Sequence, residues 1–147
     1  MADNLQIGAH ESIAGGLNKA IERIESVGGN CLQIFTKNSR FWAAKPLAPD
    51  AVEAFKAAWA ASEVQDVVVH DSYLINLCSD REEIVEKSIS ALTDELVRTH
   101  QLGIPYLVMH PGSHVGQGEE QGIEMVARHL NRIFEETPEC RDVQLLL

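Results

Sequence analysis

Short apolar runs alternate with helical stretches along the whole chain, and three of those runs end in a histidine. They are Leu5-Gln6-Ile7-Gly8-Ala9-His10, Val67-Val68-Val69-His70 and Tyr106-Leu107-Val108-Met109-His110. Pro111 and Gly112 stop the third run, which leaves His110 at a strand end. Strands alternating with helices predict a parallel sheet joined by helical crossovers. In such a sheet the strand ends of one polarity gather on one edge. Histidines far apart in sequence then meet in space.

The remaining pattern agrees. Residues 5–9 read as a buried strand. Helical spacing over 17–27 puts Ala20, Ile21, Ile24 and Val27 on one face, and Gly28-Gly29 stops the helix. Residues 31–35 form the second strand, and 36–47 a long polar loop. A helix over 49–62 carries Val52, Phe55, Ala58 and Trp59 on one face. The third strand, 67–69, leads into a loop over 71–79, where Ser79 or Asp80 suits a helix N-cap. The longest helix, 81–102, has Ile84, Ile89, Leu92, Leu96 and Val97 as apolar members and ends at Gly103. After the strand at 106–109 and a loop over 111–118, a helix over 119–136 turns Ile123, Val126, Ala127, Leu130, Ile133 and Phe134 inward. Residues 143–147 read as a fifth strand.

The order β-α-β-α-β-α-β-α-β predicts a single α/β domain over residues 1–147. Two parallel architectures fit, a doubly wound open sheet and part of a (β/α)8 barrel. No G-x-G-x-x-G follows the first strand, and Gly15-Gly16 alone is weak support for phosphate binding. A complete barrel takes about 250 residues. The 147 residues here make slightly more than half of one, and ending on Leu145-Leu146-Leu147 reads as truncation.

Composition narrows the class. Hydrophobic content of 45% and charged content of 23% suit a soluble globular protein. No apolar run reaches the roughly 20 residues of a membrane span. Met1-Ala2-Asp3-Asn4 lacks the basic and apolar regions of a signal peptide. Cys31, Cys78 and Cys140 are an odd set without metal-type spacing, as expected of reduced thiols in a cytoplasmic protein. The net charge of −10 weighs against nucleic acid, which favours a basic surface. Bound cations would reverse the local field at a site of histidines and carboxylates, so the placement of Lys37 and Arg40 decides more than the total.

Imidazole is the commonest side-chain ligand for zinc-like metals. A lone strand-end histidine more often just hydrogen-bonds neighbouring backbone. Three in matching positions shift the balance toward metal ligation for His70 and His110. His10 suits a supporting or substrate-contacting place, and His114, in a loop, suits contact with solvent or substrate as well as ligation. His100 and His129 sit on helices and read as surface or packing residues. The stretch Thr36-Lys37-Asn38-Ser39-Arg40-Phe41-Trp42 joins cations, an amide and aromatics, which suits phosphate contact with base stacking or insertion. A solvated loop pinned by Trp42 is the plainer alternative. Tyr73 and Leu74, just past His70, either pack their loop or meet the same substrate. Glu11 and Asp71 follow strand-end histidines and suit a place behind the ligands. No carboxylate stands at a strand end as an evident ligand, so a metal held by histidines alone lacks a general base and a bridging group.

Four motifs together resemble the endonuclease IV family of zinc-dependent apurinic/apyrimidinic endonucleases. They are Ile7-Gly8-Ala9-His10-x-Ser12-x-Ala14-Gly15-Gly16-Leu17, Phe35-Thr36-Lys37-Asn38-x-Arg40-x-Trp42, His70-Asp71-Ser72-Tyr73-Leu74-Ile75-Asn76-Leu77 and His110-Pro111-Gly112-Ser113-His114. The resemblance runs from about Leu5 to the last residue. It implies the first half of a (β/α)8 TIM barrel with up to three Zn2+ ions at its C-terminal face. It implies base-excision repair, by hydrolysis of the phosphodiester 5′ to an abasic site in duplex DNA, leaving a 3′-hydroxyl. His70 and His110 fall on the family's strand-end zinc ligands and would serve catalysis through the metal. Arg40, Tyr73 and Leu74 match residues that enter the minor groove, and Lys37 and Asn38 belong to the same DNA-contacting loop. His10, Asp71 and His114 would stand near the site in supporting places. The family's further carboxylates, beginning with a glutamate at the end of strand five, have no counterpart in this chain. Little or no activity is therefore expected of these residues alone, with partial zinc occupancy at most. Two alternatives remain open: a metal-dependent sugar isomerase or epimerase barrel, and a non-catalytic half barrel that self-associates through exposed sheet edges.

Overall fold

The computed structural model describes residues 5–147. Residues 1–4, read above as lacking a signal-peptide pattern, lie outside the described residues. Five strands, β1 (Gly8–His10), β2 (Cys31–Ile34), β3 (Asp66–His70), β4 (Tyr106–Val108) and β5 (Gln144–Leu146), form one sheet. Four helices alternate with them: α1 (Asn18–Ser26), α2 (Pro49–Ala60), α3 (Glu82–Leu102) and α4 (Glu119–Glu136). A short 3-10 turn, Pro138–Cys140, precedes β5.

The strands are all parallel and lie in the order β1-β2-β3-β4-β5. This order decides between the two expected architectures. A doubly wound sheet reverses its order at a switch point, whereas a barrel adds each strand beside the last. Crossovers of one hand then lay every helix on the same side. Burial follows this rule with a period of two. Leu32 and Ile34, Val67 and Val69, and Leu107 and Met109 are buried on the helical side. They meet Ala20, Ile21 and Ile24 of α1, Phe55 of α2, Leu92 and Leu96 of α3, and Ile133 of α4 in one core. The alternate positions, Gln33 and Phe35, Val68 and His70, Val108 and His110, share the opposite face, the side that a closed barrel would turn inward.

Several local expectations change. The run over 5–9 is not a buried strand: β1 begins at Gly8, its three residues are exposed, and Leu5 and Ile7 are open to solvent. Among the described residues, β1 pairs with β2 alone, at the edge of the sheet. Val27 caps α1 outside its apolar face and is exposed. Arg81, rather than Ser79 or Asp80, occupies the N-cap of α3, while the Ser79 hydroxyl accepts a bond from the Arg81 amide at 3.2 Å. On α4 the buried flank runs through Gly122 and Ile133, with Met125, Val126 and Leu130 partly covered. Ile123, Ala127 and Phe134 face outward instead of inward; α4 packs against α3 and the 3-10 turn before β5. Gly103 ends α3 in the left-handed conformation, φ 71°, where a side chain would be strained. Cys31, Cys78 and Cys140 are unpaired.

Candidate metal and nucleic-acid site

Parallel pairing in register aligns the strand ends. His10 of β1 pairs with Gln33, and His70 of β3 pairs with Val108, two residues before His110. The His70 and His110 rings therefore stand side by side, 5.1 Å between centroids. Phe35 and Tyr73 complete an aromatic cluster with them: Phe35 lies 5.6 Å from His70 and 5.3 Å from Tyr73, and His10 lies 4.4 Å from Phe35. Phe35 heads the second motif without having been given a site role; it follows β2 at the same alternate positions as Gln33.

The His70 Nδ1 lies 2.8 Å from the carbonyl oxygen of Asp71. An oxygen acceptor fixes Nδ1 as the protonated nitrogen, so Nε2 keeps its lone pair. This is the tautomer a metal ligand needs, with its other nitrogen held by backbone. His110 is exposed beside it. Among the described residues, no group of three or more histidine, cysteine or carboxylate side chains converges on one point. The two imidazoles fit a zinc-like ion as two ligands of a larger set. His114 is not brought to them by any contact. Its Nδ1 accepts amide bonds from Gly116 and Gly118 at 3.2 and 3.3 Å, which organises its own loop. His10 Nδ1 is held by Gln33 at 2.9 Å. His129 staples α4 to the Leu77 carbonyl at 2.7 Å, and His100 pairs with Asp142 at 2.7 Å, as packing and surface residues do.

Behind the histidines lies a buried polar layer. Asp71 is buried, and burial pushes its carboxyl up to about 8, aided by nearby Glu95 and opposed by Lys37. Its Oδ1 is 3.5 Å from His70 Nδ1. Burial also raises Glu95, against the pull of Lys37 and a 2.5 Å bond from the Thr36 hydroxyl. Lys37 is the main correction to the expected DNA-contacting set. Its ammonium is turned inward, 2.7 Å from Asp94 and 3.5 Å from Glu95, and its side chain is 2% exposed. Two acidic side chains of α3 pair with it, although it still lines the cleft beside His10 and Asn38.

Its neighbours in the loop do face outward. Asn38 Oδ1 accepts the Arg40 amide at 3.0 Å, a side-chain turn that lifts Arg40 and Phe41 into solvent. Trp42 packs on the core beneath them. The Ser72 hydroxyl donates to the Ser39 carbonyl at 2.8 Å and ties this loop to the one carrying Tyr73. Tyr73 is 65% exposed, and Leu74 is half-buried. A cleft of about 550 Å³ opens between the loops after β1 and β2, lined by His10, Ser12, Phe35, Asn38 and Ser39. A larger groove of about 710 Å³ lies between α3 and α4, away from the histidines, and is predominantly acidic. Among the described residues, the strand ends are where two imidazole rings stand side by side.

A profile described as xylose isomerase-like TIM barrel matches residues 21–147. The chain belongs to that family. Within it, the likeness to endonuclease IV is specific. The chain is 51% identical over 131 residues to the probable endonuclease 4 of Chloroflexus aurantiacus, covering 89% of this chain and 46% of that protein. It is 43% identical over 140 residues to that of Trichlorobacter lovleyi, covering 95% and 50%. Endonuclease IV from Thermus thermophilus superposes with a TM-score of 0.78 at 36% identity, over 90% of this chain and 48% of that one. A D-psicose 3-epimerase from Clostridium cellulolyticum shares only the fold, with a TM-score of 0.64 at 16% identity, over 95% and 51%. The chain spans about half the length of the curated relatives it matches. None of its described helices is long and apolar enough to cross a membrane.

Proposed function

We propose that this chain is the DNA-handling part of an endonuclease IV-like enzyme of base-excision repair. In this reading the whole protein hydrolyses the phosphodiester 5′ to an abasic site in duplex DNA and leaves a 3′-hydroxyl. One observation carries the proposal: paired imidazoles at the ends of β3 and β4, with Nε2 of His70 free, beside exposed Tyr73. His70 and His110 are the residues that would hold Zn2+. The ion would supply Lewis-acid activation of water and of the phosphoryl oxygens. The chain's own side chains do the rest. Arg40 presents a cation to the phosphate backbone, and Tyr73 and Leu74 present apolar surface for an unstacked or bent step. Asn38 shapes the turn beneath Arg40 through its Oδ1 and, being exposed, offers its amide donors to the same phosphate backbone. Asp71 holds His70 in its tautomer through its main-chain carbonyl.

A sugar epimerase shares the barrel, yet a small sugar gives Arg40, Phe41 and Tyr73 nothing to contact. The protein is read as cytoplasmic, one domain, and able to self-associate through its open sheet edges.

Zinc content by inductively coupled plasma analysis, with nicking of an abasic duplex, tests the proposal. The 147-residue chain should bind zinc weakly through His70 and His110, lose it in His70→Ala and His110→Ala, and nick little or not at all. Unchanged zinc content in both variants would rule out the histidine pair. Robust, chelator-sensitive nicking would show that no further carboxylates are needed.

A further inference from the structure

We infer that Asp94, Glu95 and Arg98 of α3 are positioning residues that clamp both ends of the loop carrying Arg40 and Phe41. The inference rests on the nucleic-acid reading for its purpose, though not for its geometry. The loop leaves β2 at Thr36 and Lys37. There the Thr36 hydroxyl donates to Glu95 at 2.5 Å, and Lys37 reaches Asp94 at 2.7 Å and Glu95 at 3.5 Å. Nearer its far end, the Lys45 carbonyl accepts from the Arg98 guanidinium. Arg98 Nε in turn donates to Asp94 at 2.9 Å. Asp94 thus joins the two ends, held by a lysine from one and by the arginine that grips the other.

The charge arrangement supports a clamp over incidental packing. Asp94 is shared by two buried cations, Lys37 and Arg98, so removing it leaves both without their nearest counter-charge. The three α3 residues span four positions, which places them on one helix face. Between the gripped ends, residues 38–44 make few bonds outside their own turn; Ser72 to Ser39 is the principal one. Trp42 anchors the middle on the core. Fixed at both ends and pinned at Trp42, the loop presents Arg40 to solvent at its turn. Lys37, expected from the sequence to touch DNA, serves DNA contact indirectly by fixing the loop on which Arg40 stands.

The test uses the full chain with Asp94→Ala, Arg98→Lys, Arg40→Ala and the double variant Arg40→Ala/Asp94→Ala. Asp94 is 36% exposed, and Glu95 stays 3.5 Å from Lys37, so one counter-charge survives the truncation. Arg98→Lys keeps the charge but loses the fork that reaches Asp94 and Lys45 together. Hydrogen exchange followed by mass spectrometry reads the loop. Asp94→Ala should speed exchange over 38–48 by roughly tenfold, the loss expected for an ion-pair anchor, with β2, β3 and α3 unchanged. Arg98→Lys should act in the same place and less strongly. Unchanged exchange in the loop, or a rise shared by the whole sheet, overturns the clamp. Fluorescence anisotropy with an abasic-site duplex reads its purpose. Asp94→Ala should weaken binding in the native background and add nothing to Arg40→Ala. Full additivity would sever the clamp from Arg40. If Arg40→Ala itself leaves affinity unchanged, the nucleic-acid reading fails, and loop exchange alone decides the clamp.

Discussion

At the scale of single residues, Lys37 and Arg40 share a loop and a charge and do opposite things. Lys37 faces two carboxylates of α3, and Arg40 faces solvent. Glu95 allows the buried side of that contrast to be measured. Its carboxyl is raised by burial above its ordinary 4.5, so the folded chain keeps a proton that the unfolded chain has lost. Stability from this group is therefore present below about 4.5 and falls as pH climbs toward the raised value. Glu95→Gln keeps an acceptor for Thr36 and cannot lose that proton. Urea midpoints of the variant relative to the native chain should improve as pH rises above about 4.5, the ordinary value of the group. A constant difference over that range would mean that Glu95 is charged throughout. The sequence could not show this layer, because Asp94 and Glu95 read as ordinary polar positions of a long helix. Only the crossover geometry brings them under Lys37. The histidines were legible for the opposite reason: a strand end followed by turn-formers fixes where a side chain goes with no knowledge of its neighbours.

At the scale of elements, order and type followed from periodicity, and phase did not. α4 carries two apolar stripes, one through Met125, Val126 and Ile133 and another through Ile123, Ala127 and Phe134. Spacing alone merges them into one inward face, since a barrel helix has a neighbour on each side. In this chain α3 and the 3-10 turn pack against α4, while Ile123, Ala127 and Phe134 stay exposed. The two stripes should therefore respond differently to truncation. Ile133→Ala opens a cavity in the core and should cost about 2–5 kcal/mol. Ile123→Ala, at a position 63% exposed, should stay within about 0.5 kcal/mol. Chemical denaturation distinguishes them, and equal losses would return the helix to the phase that the sequence suggested. β1 teaches the same lesson. Leu5 and Ile7 are apolar enough for a buried strand, yet an edge position leaves them in water.

At the scale of the whole molecule, the open side of the sheet governs behaviour. Among the described residues, both β1 and β5 are edge strands paired on one side only, and neither carries a proline. The chain exposes 8497 Å², against about 7,500 Å² for a monomer of its 16.2 kDa mass packed to ordinary density. The excess matches a sheet covered on one face only. Exposed edges and apolar flanks such as Phe134 and Leu146 favour association, while a net charge of −10 opposes it. The repulsion acts over a Debye length, about 30 Å at 0.01 M salt and about 8 Å at 0.15 M, whereas strand pairing and apolar contact act at touching distance. Salt should therefore tip the balance. Light scattering should find mainly single chains at low ionic strength and a rising mass as sodium chloride is added at fixed protein concentration. A mass that stays monomeric at every salt concentration would show that the edges are sheltered. Association that weakens with salt would instead point to a contact made of opposite charges, such as Arg40 against the acidic groove between α3 and α4.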